Sequence, residues 1–405
     1  MRWSTGSLDQ ARRYIESQRW FAGKGQDWAI VDASCLLDLG ALSLELVTVE
    51  HADRTRERYH LPLSRYDRER PELALSLVGE IDGLWVYDAV HDSEAVAHLI
   101  DACGDGPEIK ALTDASLPTR VTQHSNSTIT MGDQAVLKIF RRAHPGVNPD
   151  IEIHRALTAA GHNATAELLG WIEVEHHGEV FQLGMLQRFV PHAQAGWELA
   201  LASRDFPAHS LGVTIAGLHQ QLADVFGTSQ SLVGSLTDPM KQRWHHALRQ
   251  VGALAQCEDQ VLHAYSAPSP ASTHPTQRVH GDLHLAQVLS GPDGWTVLDF
   301  EGPPALPLDQ RRLPDSRWRD VAGMVRSFDY AARVGGHDIG WAQQCRDEFL
   351  EGYLARALTN EERALLQAYV VDRAVYEVVY EARHRPDWVE IALTGLRDCL
   401  THADH

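Results

Sequence analysis

His280-Gly281-Asp282-Leu283-His284-Leu285-Ala286-Gln287, then a short apolar segment broken by Gly291-Pro292-Asp293-Gly294, then Leu298-Asp299-Phe300-Glu301-Gly302, is the stretch whose reading decides the fold. It sets a carboxylate, Asp282, five residues before an amide, Gln287, and a second carboxylate, Asp299, twelve residues further on. Mg²⁺ takes hard oxygen ligands, usually one or two carboxylates with phosphate oxygens and water, so Gln287 and Asp299 form a sensible metal pair. Asp282 then remains to accept a hydrogen bond from a substrate hydroxyl. Lone aspartates commonly cap turns, but two of them with this spacing imply metal-assisted phosphoryl transfer.

The same layout occurs in protein kinases, where a base Asp precedes a Mg²⁺-binding Asn by five positions and an Asp-Phe-Gly metal ligand follows. Gln287 stands where the Asn would be. The expected fold is α+β: a protein-kinase-like bilobal fold with an N-terminal α/β cap, a small β-rich ATP lobe and a helical C-lobe.

The chain has 405 residues, 44% of them hydrophobic and 22% charged, enough to bury a sizeable core. A formal net charge of −19 argues against nucleic acid as a partner, because phosphate backbones need basic surface. Nucleotide sites use a few local cations and backbone N–H groups, so the charge does not exclude ATP. Five scattered cysteines without a C-x-x-C pair suit reduced thiols. Neither a signal peptide nor a membrane-length apolar run is visible, so a cytoplasmic location without membrane association is expected.

Residues 1–90 read as a cap, 91–190 as the ATP-binding subdomain and 191–405 as the helical lobe. In the cap, residues 7–23 suggest an amphipathic helix whose Trp20 and Phe21 pack on a sheet, and period-two apolar residues place strands in 42–49, 59–63 and 84–87. A helix is expected over 92–103. Ser125, Asn126 and Ser127 then precede a hairpin with a Gly132-Asp133 turn whose second strand carries Lys138 amid apolar residues. A small polar loop before a lysine-bearing strand is how kinase-like folds hold ATP phosphates. A buried lysine needs a partner, and Glu152, in the first turn of the next helix, is the candidate. Strands at 168–174 and 179–186 lead out through Gln187 and Phe189, a hinge position for adenine.

Beyond Pro191, helices are expected over 195–203, 209–226, 239–265, 319–332, 341–357 and 360–384. His219 reads as a core histidine. Ser316 is a plausible N-cap, and Asp320 either holds the Asp282 loop or faces substrate. On the helix 360–384, Arg373, Tyr376, Glu377, Tyr380, Glu381 and His384 share one broad side, which suits either a polyhydroxylated ligand or a solvated ion-pair face. His284, Arg312 and Trp388 complete the acceptor candidates.

Val279–Gln287, Leu298–Gly302, Arg319–Met324 with Ser327–Tyr330, and Ala374–Arg383 closely resemble bacterial maltokinases, as do Arg19–Lys24, Ser125–Ser127 and Lys138–Arg142. The likeness spans nearly the whole chain in the family's order. It implies an aminoglycoside-phosphotransferase-like sugar kinase that uses ATP and Mg²⁺ to make maltose 1-phosphate for α-glucan synthesis, and a trehalose synthase as partner. Ala286 replaces an expected Gly and Pro303 an expected acid, both near the acceptor. The related actinobacterial glucosamine kinases imply the alternative product, glucosamine 6-phosphate. A pseudokinase scaffold is the non-enzymatic alternative, against which Lys138, Asp282, Gln287 and Asp299 together speak.

Overall fold

The computed structural model describes residues 3–113, 117–303 and 306–401. The chain divides into two compact units, the first formed by Met1–Arg155 with Ala166–Pro191 and the second by Ala156–Thr165 with His192–His405.

The first unit opens with helix α1 (Thr5–Ser17), started by a reciprocal Ser4/Ser7 capping box. It stops at Ser17, short of the expected residue 23, because Gln18 turns extended. Trp20 and Phe21 are buried beyond its end, with ring centroids 5.7 and 5.3 Å from Tyr59. Strands β1 (Trp28–Asp38), β2 (Leu42–His51), β3 (Arg56–Tyr66), β4 (Leu77–Ile81) and β5 (Leu84–Asp88) make an antiparallel sheet ordered β1-β2-β3-β5-β4. Both faces of β2 are covered. Val47 and Val49 join the core beneath α1, whereas Leu42, Leu44 and Leu46 point into a second core shared with the next sheet. That double burial explains its run of apolar residues with little alternation.

After α2 (Ser93–Asp101) and α3 (Pro107–Ala111), strands β6 (Thr119–Gln123), β7 (Ser127–Met131) and β8 (Ala135–Ile139) are followed by α4 (Pro149–Ala159), β9 (Leu168–His176) and β10 (Glu179–Arg188). Their sheet runs β6-β7-β8-β10-β9. Gly132, at φ +50°, makes the tight β7–β8 turn that glycine permits. Backbone bonds weld the two sheets: His60 N–H donates to Arg141 O at 2.8 Å and Ala143 N–H to Arg58 O at 2.9 Å. Beside that seam lies a buried ion pair, Arg141 to Asp88 at 2.7 Å, with Tyr14 Oη donating to the same carboxylate oxygen.

The second unit contains β11 (Gln194–Ala195), α5 (Gly196–Ala202), α6 (Ala208–Phe226), β12 (Thr228–Leu232), α7 (Val233–Gln250), α8 (Glu258–Ser266), β13 (Thr273–Gln277), β14 (Val288–Gly291) and β15 (Gly294–Val297). Four helices complete it: α9 (Trp318–Gly335), α10 (Ile339–Leu354), α11 (Asn360–His384) and α12 (Val389–Thr401). The single helix expected over 239–265 is two, separated by a 3-10 segment at Gly252–Cys257. β12 pairs with β13, and β14 sits between β11 and β15. No described helix is long and apolar enough to cross a membrane.

Candidate active site

The loop His280–Gln287 lies between β13 and β14, and its shape is set by α9. Asp320, in the first turn of α9, is fully buried; its Oδ2 accepts from His280 N–H at 2.8 Å and its Oδ1 from Gly281 N–H at 2.8 Å. His219 Nε2 is 3.0 Å from Oδ2, and its other ring nitrogen meets Tyr353 Oη at 2.7 Å. Burial by itself raises the Asp320 pKa, but His219, His280 and Gly281 outweigh it and hold the carboxyl below its ordinary range. Of the two readings its position allows, Asp320 takes the first and anchors the loop, both oxygens accepting from protein donors, and the substrate-facing reading is set aside. His219 belongs to the core, as its sequence position suggests.

His280 continues the anchor. Its Nε2 lies 2.9 Å from Leu298 O, an acceptor only, so this nitrogen carries the hydrogen; Nδ1 is left to accept from Asp282 N–H at 3.3 Å. Gly281 sits at φ +86°, where a side chain is disfavoured. Gly323 of α9 is constrained from the other side, since a Cβ there would lie 2.2 Å from Leu283 O. The helix thus approaches the loop backbone more closely than any residue with a side chain allows.

Asp282 is half-buried and accepts from Arg373 Nη1 of α11 at 2.5 Å. Gln287 Nε2 donates to Asp299 Oδ2 at 2.9 Å, bringing the two expected metal ligands together. Asp299 holds a positive φ of 67°, unusual for a residue with a side chain and a mark of a constrained position. His284 closes the turn by accepting from Ala286 N–H, and burial lowers its pKa to about 4.

Along α11 the expected acceptor side chains divide. Arg373, which holds Asp282, covers the Tyr376 ring at 5.2 Å, and the Tyr376 and Tyr380 rings are 6.1 Å apart. Glu377 is bound by Arg326 at 2.7 Å, and Glu381 is 4% exposed and accepts from Tyr330 Oη at 2.7 Å. Both acids are held by protein partners, unlike the open carboxylates that the sequence suggests for sugar hydroxyls. Trp388 stacks on Tyr330 at 6.3 Å, and Arg312 accepts from Arg278 Nη1 through its carbonyl at 2.8 Å.

Within the first unit, Lys138 Nζ lies 2.8 Å from Asp150 Oδ2. Asp150 lies two residues before the expected partner Glu152, on the same helix. Burial alone raises the Asp150 pKa, but Lys138 and His154 hold it far below the carboxylate range. Ser125 is exposed, whereas Ser127 is fully buried with its hydroxyl accepting from Arg141 Nε at 2.8 Å. Ser127 therefore shapes its loop, contrary to its expected ligand contact. Asn126 Oδ1 accepts from Arg141 N–H at 3.3 Å. At the end of β10, Phe189 N–H donates to Gln134 O at 3.0 Å, and Gln187 carries a buried Nε2 without a partner among the described residues.

Two antiparallel sheets with a lysine–acid pair, and an Asp-bearing loop followed by an amide–carboxylate pair, define a protein-kinase-like phosphotransferase acting on a hydroxyl group. Residues 119–302 match the phosphotransferase enzyme family, and residues 14–92 match the maltokinase N-terminal cap domain. The chain is 26% identical over 318 residues to a glucosamine kinase of Streptacidiphilus jiangxiensis, covering 69% of this chain and 72% of that protein. It is 25% identical over 383 residues to one of Mycolicibacterium smegmatis, covering 81% and 94%. A solved glucosamine kinase in complex with glucosamine, ADP and inorganic phosphate superposes with a TM-score of 0.63 at 24% identity, covering 95% of this chain and 98% of that one. Crystal form B of glucosamine kinase gives 0.65 at 23% identity, covering 93% and 94%. These likenesses establish the fold.

Proposed function

We propose that this protein transfers the γ-phosphoryl group of ATP to a hydroxyl of glucosamine. The carrying observation is Asp282 on a loop that Asp320 anchors through His280 N–H and Gly281 N–H, with its carboxylate held by Arg373, whose guanidinium covers the Tyr376 ring. A hydroxyl oxygen attacks the γ-phosphorus, the bond to the ADP oxygen breaks, and the hydroxyl proton moves toward Asp282. Such transfer depends on positioning and charge stabilisation more than on covalent chemistry. Tyrosine faces offer stacking for the apolar side of a sugar ring.

Lys138, steadied by Asp150, takes ATP phosphates together with the Ser125–Asn126 loop, and the chain around Gln187 and Phe189 takes adenine. Gln287 and Asp299 are an all-oxygen donor pair and fit Mg²⁺, which when bound neutralises phosphate charge. Glucosamine is favoured over the maltose implied by sequence resemblance because the relatives spanning most of this chain are glucosamine kinases. The cap domain match keeps maltose as the second reading. Trehalose synthase has no counterpart in these names and does not enter the proposal.

A panel of glucosamine, maltose and an aminoglycoside with ATP and Mg²⁺, followed by location of the phosphorylated carbon, decides the acceptor. Glucosamine 6-phosphate is the expected product. Maltose 1-phosphate as the main product overturns the acceptor assignment, and no sugar-dependent ATP consumption across the panel overturns the reading as a sugar kinase.

A further inference from the structure

A cavity of about 1020 Å³ lies within the second unit, bordered by α8, α9, α10, α11 and α12, and none of the residues of the Asp282 loop lines it. Its wall includes Val325, Leu366 and Val370, all largely buried apolar side chains. Arg333, Arg346 and Arg363 bring three guanidinium groups to the same space. Arg333 is paired with Asp398 and Arg346 with Asp329, whereas Arg363 is exposed and has no side-chain partner among the described residues. Gln260 and Asn360 add exposed amides. Asp259, Asp329, Asp347 and Asp398 also border the cavity; Asp329 and Asp398 are the partners of Arg346 and Arg333, and Asp347 accepts both contacts from Gln343.

One wall of this cavity begins an unbroken alternation of charge that ends at Asp282. Arg346 Nη1 is 2.7 Å from Asp329 Oδ1, and Asp329 Oδ2 is 3.0 Å from Arg326 Nη1. Arg326, 1% exposed, reaches Glu377 Oε2 at 2.7 Å with its other terminal nitrogen. Glu377 Oε1 is 3.9 Å from Arg373 Nε, and Arg373 Nη1 is 2.5 Å from Asp282 Oδ1. The middle of the chain is shielded from water, so charge changes at one end are weakly screened. Its loosest link is Glu377–Arg373, the one able to tighten.

We infer that the cavity is a regulatory site for a phosphorylated sugar metabolite, and that filling it activates the enzyme. The apolar wall takes the C–H face of a sugar ring, the amides take hydroxyls, and the guanidinium groups take phosphate, for which arginine geometry is well suited. A bound phosphate competes with Asp329 for Arg346. Asp329 then turns to Arg326, Glu377 is released toward Arg373, and Arg373 relaxes its hold on Asp282, freeing that carboxylate to accept the substrate hydroxyl. Arg346, Asp329, Arg326, Glu377 and Arg373 are positioning residues in this scheme. The activation half rests on the proposed role of Asp282; the binding half does not.

The test therefore separates the two. Glucose 6-phosphate, glucose 1-phosphate, glucose and inorganic phosphate are titrated calorimetrically into the full-length protein without ATP or acceptor. Saturable binding of a hexose phosphate, weakened about tenfold or more in Arg363→Glu, is expected on loss of a charged phosphate contact. Because Arg363 is exposed, circular dichroism should show that variant folded. Binding that survives both Arg363→Glu and the cavity-filling Ala364→Trp overturns the site, as does no binding of any probe. Inorganic phosphate binding as tightly as the hexose phosphates overturns the sugar assignment. With the accepted sugar, the bound hexose phosphate should raise kcat several-fold. Asp329→Asn should keep the binding and lose that rise; a rise that persists in Asp329→Asn overturns the relay.

Discussion

Replacing Asp320 by Asn changes one oxygen of a fully buried carboxylate to an NH₂ group, so its effect can be worked from three contacts. Asp320 now accepts from His219 Nε2 at 3.0 Å, His280 N–H at 2.8 Å and Gly281 N–H at 2.8 Å. An Asn keeps an acceptor for His219 and His280 if its oxygen takes the Oδ2 place, and then turns a donor toward Gly281 N–H. Reducing two charge-assisted bonds to neutral ones costs roughly 1 kcal/mol each, and one orphaned buried donor costs about 1–3 kcal/mol. The sum, about 3–5 kcal/mol, falls on the segment that aims Asp282. A shift of the reacting group by an ångström lowers rates about a hundredfold. Steady-state rates with ATP and the accepted sugar, alongside urea unfolding, should show both losses. A variant that turns over within threefold of the wild type and unfolds at the same urea concentration would refute the role given to Asp320. The wild type has a further signature. The depressed carboxyl pKa means that Asp320 contributes its full stability above the ordinary carboxylate range and loses it as pH falls through the lowered native value; the variant should lose this dependence.

Asp282→Asn should retain ATP binding by fluorescent-nucleotide displacement while kcat falls by about 10²–10⁴-fold, the range for loss of a general acid–base group. Asp150→Ala should raise KM for ATP more than it lowers kcat, because Lys138 loses the carboxylate 2.8 Å away; an unchanged KM would count against Lys138 as a phosphate ligand. His284 should titrate near 4 by NMR, since burial resists its protonation. The native state then binds fewer protons at this residue than the unfolded chain between about 4 and the ordinary histidine value near 6.5, so its contribution to stability is lost as pH falls through that window. An imidazole titrating above 6 would contradict the burial argument. Asp88→Asn should destabilise the protein by about 3–5 kcal/mol in denaturant unfolding, because Arg141 would keep its charge in a site closed to water.

The chemistry was legible because Asp282, Gln287 and Asp299 lie within one short local segment, where spacing translates directly into geometry. Lys138 was legible as a buried cation needing an acid, but spacing did not bring out Asp150 beside Glu152: both fall in the first turn of α4, and that Asp150 reaches back to β8 is a matter of side-chain direction. Ser127 misled because a loop hydroxyl looks available until Arg141, arriving from the far end of β8, takes it. Arg373 belonged to the recognised side of α11, yet its bond to Asp282 joins residues 91 positions apart, beyond any helical or strand period. The Asp88–Arg141 pair escaped notice for the same reason. α11 ends at His384, ahead of Pro386, as a proline that cannot continue a helix implies; what the sequence reading missed is the new helix α12 that begins at Val389.

The welding of the cap sheet to its neighbour has a consequence for how the protein is made. Asp88 must await Arg141, 53 residues later in the chain, before its carboxylate finds the guanidinium that balances it in the interior. At roughly 5–20 residues per second, synthesis holds that gap open for roughly 3–10 seconds. Leu42, Leu44 and Leu46 also lack the opposing sheet during this interval. Ala156–Thr165, which belongs to the second unit, then leaves the ribosome before Ala166–Pro191 can complete the first. The cap therefore cannot mature as it emerges, and its half-covered sheet presents apolar side chains until the second sheet is made.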